Sequence, residues 1–173
     1  MFLIDYVTPE NAEGKIAEVY GLFPKQIGPV GFIQLLTAST GVFDVQRTLM
    51  DYMFNKSNIH FDVLSAIRFL AASLNNQPMC INFNSALLKA AGVTDDELAS
   101  VVNDPLQGAP FELKDRMLLA FVKKGLIDPS SITREDIDEL ITAGWTEKDA
   151  LDAMYLGCYM AIPGKLSDIF SKK

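Results

Sequence analysis

Apolar residues recur every three or four positions along most of this chain, the spacing that gathers them on one face of an α-helix. The clearest run begins at Phe61 and ends near Asn75. Its apolar positions are Leu64, Ile67, Phe69, Leu70, Ala71 and Leu74. This density predicts a helix that lies largely inside the protein. Because no segment shows the alternation that is typical of a β-strand, we predict an all-α fold.

Capping and breaking residues divide the remainder of the chain into further helices. Pro9 follows a potential capping Thr8, which predicts a helix over residues 9–22. Residues 23–31 carry two Pro and two Gly and are predicted to form a connector. The other predicted helices are 31–39, 42–55, 78–92, one that begins after Thr94, 111–124, 133–143, and two final helices that are separated at Pro163-Gly164.

Two short segments carry the same helix-boundary signal. Gly92 to Glu97 combines a terminal Gly with a Thr-x-x-Glu capping box, and Gly144 to Asp149 repeats the arrangement. Ala-Gly-x-Thr recurs at Ala91 and Ala143. The recurrence indicates either two related helix-turn-helix units or a chance similarity between short caps.

Composition narrows the possible classes of protein. With 173 residues, of which 49% are hydrophobic, the chain can bury the core of one ordered domain, and we predict a single domain over 1–173. A net charge of −7 and scattered Lys and Arg predict that nucleic acid is not a partner. The sequence has no signal-peptide pattern and no apolar run of about 18 residues. We therefore expect a cytoplasmic protein without membrane contacts.

Few residues are available for metal or cofactor chemistry. Cys80, Cys158 and His60 are too few and too scattered for a disulfide framework or a zinc site, so no cofactor and no metal are predicted. Cys158 lies in an apolar helical segment and is predicted to belong to the core. The acidic run from Glu135 to Glu139 is predicted to be a solvated helix face.

The segment from Leu74 to Ala86 reads Leu-Asn-Asn-Gln-Pro-Met-Cys-Ile-Asn-Phe-Asn-Ser-Ala. It resembles the pattern Leu-Asn-x-Cys-x-x-Cys-x-x-x-His-Ser-Ala of alkylhydroperoxidase D-like proteins in the carboxymuconolactone decarboxylase superfamily, in its peroxidase-related branch. Further resemblance lies in 90–98, 128–133 and 165–168. The resemblance implies the alkylhydroperoxidase D-like helical fold and a homo-oligomer, often a trimer or hexamer.

Three of the four functional positions of the family pattern hold different residues here. In active members a Glu twelve residues before the first Cys works with both Cys and the His. The corresponding positions are Ser65, Gln77, Cys80 and Asn84, of which only Cys80 keeps its family identity. Ser65 and Asn84 cannot relay protons as Glu and His do. We therefore predict that the two-thiol peroxidase centre is lost, leaving an inactive homologue or a pocket that binds an uncharged or weakly polar small molecule.

Two alternatives to a binding protein stay open. Cys80 is predicted in the first turn of a helix, where the helix dipole favours a thiolate. It is either the nucleophile of a single-cysteine, peroxidase-related oxidoreductase with antioxidant, peroxiredoxin-type activity, or a packed apolar remnant. His60 is a further candidate for the pocket or for a proton source, and Asp62 is a candidate for the missing carboxylate; both also fit a helix start. The second alternative is an oligomeric scaffold or interaction module.

Overall fold

The chain is helical in the computed structural model, which describes residues 2–24, 28 and 30–172. These residues contain no β-strand beyond an isolated bridge between Phe2 and Ser171, so the all-α prediction is confirmed. The helices are α1 (Gly14–Tyr20), α2 (Gly31–Leu36), α3 (Thr40–Asn55), α4 (Phe61–Leu74), α5 (Pro78–Ala90), α6 (Asp95–Asn103), α7 (Pro105–Gly108), α8 (Leu113–Ile127), α9 (Arg134–Thr142), α10 (Glu147–Tyr159) and α11 (Ala161–Phe170). In the predicted connector, Lys25, Gln26, Ile27 and Pro29 lie outside the described residues.

The helix predicted over 9–22 is interrupted near its start. Residues Pro9–Asn11 form a 3-10 turn, and α1 begins only at Gly14. Glu13 is extended, with φ −131° and ψ 160°, and Gly14 has φ +51°, a left-handed conformation that glycine adopts without a Cβ penalty. This pair of backbone conformations separates the two elements, which the apolar spacing alone does not reveal.

The final two helices are separated at a different place from the one predicted. The break falls at Met160, and Pro163 is the third residue of α11 rather than its boundary. Proline is tolerated in a first helical turn because the N–H groups of that turn have no partner within the helix. The prediction of a split at Pro163-Gly164 was therefore wrong, and α7 was not predicted.

Both predicted helix-boundary signals are confirmed. Thr94 and Thr146 are N-caps of α6 and α10, and each side chain accepts a hydrogen bond from the backbone N–H three residues later. Gly92 and Gly144, just after the preceding helices, have φ +96° and +102°. These left-handed conformations favour glycine and redirect the chain into the next cap.

Contacts group the chain into two compact units, Met1–Asn55 with Ile162–Lys173, and Lys56–Ala161. In the first unit, an apolar cluster joins α1, α2 and α3 through residues that include Val19, Phe32 and Phe43. The Tyr20 hydroxyl donates to the Val7 carbonyl at 2.7 Å, which ties the N-terminal segment to α1. The single domain over 1–173 stays a prediction.

The second unit is built around α4, as its apolar density predicted. This helix contacts α5, α6, α8 and α10, and Leu64, Ile67 and Leu70 have no exposed surface. Each such side chain contributes about 1.5–3 kcal/mol through burial. Where α8 and α10 meet, a Cβ on Gly157 would lie 2.9 Å from Val122 Cγ1, so glycine permits their close approach. None of the described helices combines the length and apolar character needed to cross a bilayer.

Candidate functional site at the α4–α5 pair

Ser65 and Asn84, on neighbouring helices, meet at one guanidinium group. Ser65 on α4 is 1% exposed and Asn84 on α5 is 2% exposed. Arg68 Nε donates to Asn84 Oδ1 at 2.9 Å, and Arg68 Nη2 donates to Ser65 Oγ at 2.8 Å. Ser65 Oγ donates in turn to the Phe61 carbonyl at 2.9 Å, and Asn84 Nδ2 donates to the Cys80 carbonyl at 2.9 Å. The two positions are thus brought together, but by a residue that the sequence analysis missed.

Arg68 gives this site a positive charge. The side chain is half-buried, and its guanidinium carbon lies 5.6 Å from the centroid of the Phe61 ring. Burial lowers the pKa of Arg68 to about 10, so the group remains protonated at neutral pH. The sequence could have identified Arg68, because it is the only charged residue between Val63 and Leu74. A charge within a buried helix indicates a partner or a function.

Cys80 occupies the first turn of α5, as predicted. It is half-buried and packs against a cluster of Ala71, Ala72 and Met160. Burial raises the pKa of the Cys80 thiol, although the helix N-terminus would favour a thiolate. Because the pKa of the thiol is raised above its ordinary value, the neutral thiol dominates at pH 7.

Gln77 stands at the N-cap of α5, and its side chain makes no capping hydrogen bond. The Gln77 backbone is held, because its N–H donates to the Ala72 carbonyl at 3.0 Å and its carbonyl accepts from Ile81 N–H at 2.9 Å. The side-chain Oε1 is buried, and no donor reaches it from the described residues. A buried acceptor of this kind is satisfied by water or by a ligand N–H or O–H group.

His60 lies apart from this hydrogen-bonded group. It is the N-cap residue of α4, its side chain is exposed, and within the described ranges that side chain has no hydrogen bond to Ser65, Gln77 or Asn84. It belongs instead to the electrostatic surroundings of Asp115 in the first turn of α8. Asp62, the other candidate at this helix start, is exposed.

Asp115 is a second charged residue that the sequence analysis missed. It is 7% exposed, and no described group donates to its buried Oδ1. Burial raises the pKa of the Asp115 carboxyl, the nearby Glu112 adds to this effect, and Lys114 and His60 oppose it. The sequence could also have indicated that Asp115 is buried, because it lies on the same helical stripe as the buried Leu118.

Cys158 is exposed, which contradicts its predicted place in the core. The buried face of α10 includes Ala153 and Leu156, whereas Leu151, Tyr155 and Cys158 follow one another at four- and three-residue spacing on another face. Leu151 is 69% exposed and Tyr155 52%. Because α10 has apolar residues on both faces, its sequence did not show which face is buried.

Both cysteines are free thiols. Among the residues that the structure describes, no group of three or more His, Cys, Asp or Glu side chains is arranged to share a metal ion.

Comparison with known proteins shows which solved structures share this fold. No family model matches the chain, and no curated protein matches it in sequence. Among solved structures, it is similar to an uncharacterized peroxidase-related protein from Silicibacter sp. TM1040, with a TM-score of 0.73 and 14% identity over 88% of this chain and 81% of that one. It is also similar to an alkylhydroperoxidase AhpD core, an uncharacterized peroxidase-related protein from Ralstonia eutropha JMP134, with a TM-score of 0.66 and 17% identity over 79% of this chain and 72% of that one. The chain therefore has the AhpD-like helical fold, as its sequence resemblance implied.

Proposed function

We propose that this protein is a divergent alkylhydroperoxidase-like protein that lacks a two-thiol peroxidase centre and binds a small molecule beside Gln77 and Cys80. The main support is the role of Ser65 and Asn84. At the positions that resemble the family's Glu and His, both side chains are neutral and hydrogen-bond to Arg68. They hold a guanidinium in place and have no proton to exchange near neutral pH.

The Gln77 side chain supports the proposal that this site binds a ligand and is not a purely structural remnant. Its buried Oε1 lacks a donor within the described part of the chain, and such an atom carries a desolvation penalty of about 1–3 kcal/mol until it is paired. The neighbouring half-buried Cys80 and Ile81 supply apolar surface. We therefore expect an uncharged, weakly polar ligand that donates a hydrogen bond to Gln77.

A fragment screen on paired variants tests this ligand site. Neutral fragments with one N–H or O–H donor are screened by ligand-observed NMR against the wild type, Gln77→Leu and Gln107→Leu. Gln107 is an exposed glutamine on α7 and serves as the matched control. Loss of one hydrogen bond weakens binding by about 1 kcal/mol, or roughly fivefold. The proposal fails if no fragment binds, or if bound fragments respond equally to both substitutions.

The single-cysteine oxidoreductase is a weaker alternative because burial raises the pKa of Cys80. Alkylation of Cys80 by iodoacetamide, followed against pH in a Cys158→Ala background, tests it directly. We expect slow labelling with an inflection above the reference pKa of about 8.5. Fast labelling with an inflection below that value would instead favour the enzyme and call for peroxide-consumption assays.

We also propose that the protein forms a homo-oligomer. The exposed apolar face of α10, formed by Leu151, Tyr155 and Cys158, supports this proposal, as does the sequence resemblance. Light scattering should give an oligomer for the wild type and a smaller species for Leu151→Glu. Leu22→Glu, at a site 66% exposed, is the control. A monomeric wild type, or equal dissociation of both variants, would contradict the assignment.

A further inference from the structure

The acidic run on α9 forms one wall of a groove. The groove has a volume of about 630 Å³ and is open to solvent on one side. Its other wall is the beginning of α8. The groove is lined by Leu113, Lys114 and Met117 from α8 and by Glu135, Asp138 and Glu139 from α9, among others. The three carboxylates are exposed, as the sequence predicted, but they also border this concave surface.

The groove carries a negative charge at one wall. Its three carboxylates face a single lining ammonium, that of Lys114, whose Nζ lies 5.3 Å from the centroid of the Trp145 ring. Asp138 accepts a 2.9 Å ion pair from Arg134, which partly neutralises it. Glu135 and Glu139 lie one helical turn apart on the same wall. They are therefore placed to bind two cationic groups at that separation.

The opposite wall is apolar. Leu113 is 59% exposed at the first position of α8, and Met117 is half-buried one turn later. An exposed leucine beside a flexible methionine is suited to receive an apolar side chain. The groove thus combines two glutamates with a leucine and a methionine, an arrangement complementary to a segment that has both basic and apolar faces.

We propose that the α8–α9 groove docks a basic amphipathic peptide segment of a partner protein. Two Lys or Arg side chains of the segment pair with Glu135 and Glu139, and an apolar side chain rests on Leu113 and Met117. The carboxylates repel nucleic acid. A peptide fits better than a small organic cation because the open groove follows about 12 Å of α9 and would leave a small ligand largely in water.

A peptide-binding measurement on the full chain tests the assignment. The probe is a fluorescent library of helical peptides of about 12 residues, each with two Lys one turn apart and Leu or Met on the other face. Fluorescence anisotropy is recorded at about 150 mM salt, which screens weak long-range attraction. The groove variants are Glu135→Gln with Glu139→Gln, and Leu113→Gln.

The controls are matched in charge and in exposure. Glu13→Gln with Glu18→Gln removes the same charge from two exposed glutamates elsewhere, and Leu22→Gln replaces a leucine that is 66% exposed. We expect saturable peptide binding. Each groove variant should weaken the affinity by about tenfold, whereas the controls should change it by no more than about twofold.

Three results would overturn the proposal. The first is the absence of saturable binding by every peptide. The second is a sign that the net charge alone attracts the peptide, seen as equal weakening by both glutamine pairs or as no effect of Leu113→Gln. The third is hexylammonium binding as tightly as the best peptide and with the same variant pattern, which would assign the groove to small organic cations.

Discussion

Helices α4 and α8 each carry one charged residue among their core-facing positions, and the two residues are accommodated in opposite ways. Arg68 on α4 donates to Ser65 and Asn84, and it remains charged at neutral pH. Asp115 on α8 is 7% exposed, and no described donor reaches its Oδ1. Its pKa is raised mainly by burial.

The difference shows how a group's ordinary pKa and its surroundings together decide its charge in a folded protein. Arg68 keeps its proton because even the pKa of about 10 that burial leaves it lies well above neutral pH, and the oxygens of Ser65 and Asn84 replace part of its hydration. Burial raises the pKa of Asp115, and none of the described residues donates to its Oδ1, so the carboxyl binds a proton more readily. Ser65 and Asn84 therefore act in this chain as the hydrogen-bond partners of a half-buried cation.

The largest loss of stability should follow from removing the acceptor of Arg68 Nε. Asn84→Leu leaves the guanidinium short of one charge-assisted hydrogen bond, and we expect a loss of about 2–3 kcal/mol in the free energy of unfolding, measured by urea denaturation. Asn82→Leu, at an exposed position of the same helix, is the control. Equal losses in both variants would show that the bond to Arg68 is unimportant.

A smaller effect should follow from Ser65→Ala. Ser65 and Ser73 both donate to the carbonyl four residues earlier on α4, and Ser65 in addition accepts from Arg68. The difference between Ser65→Ala and Ser73→Ala therefore reports the bond to the guanidinium, and we expect it to be about 1.5 kcal/mol in thermal or urea unfolding. No difference between the two alanine variants would mean that Arg68 finds an equally good acceptor elsewhere.

The smallest expected change in the free energy of unfolding is a gain in stability. Asp115→Asn removes the ionisation penalty of a buried carboxyl, and we expect stabilisation by about 1 kcal/mol or less at pH 7. Because the folded pKa is raised above the ordinary value near 3.8, the penalty is absent below that pH and grows as pH rises through the folded pKa. The gain should therefore disappear in acid, as measured by urea unfolding from pH 3 to pH 7.

Asp96→Asn is the control for this last variant, because Asp96 is an exposed carboxylate in the first turn of α6. It should lose a small part of its helix-dipole stabilisation and show no gain at pH 7. Destabilisation by Asp115→Asn at every pH would indicate that the carboxylate is stabilising where it lies.

The helices were largely predictable from the sequence, and their boundaries were predictable only where a local signal defines them. Thr94 and Thr146 mark helix starts because a capping box is closed by residues three positions apart. The start of α1 was missed because it depends on the backbone conformations of Glu13 and Gly14. Pro163 was misread because proline is compatible both with the end of a helix and with its first turn.

The sequence by itself determined the helical fold and the buried character of α4, and it supplies Ser65, Gln77 and Asn84 where the pattern that it resembles has Glu, Cys and His. These features depend on residue identity and on spacing along one helix. Only the tertiary structure decided that Arg68 joins Ser65 to Asn84, that burial raises the pKa of Cys80, and that Cys158 is exposed. The physical reason is that desolvation and hydrogen bonding depend on which helix faces meet, and apolar spacing does not specify that pairing.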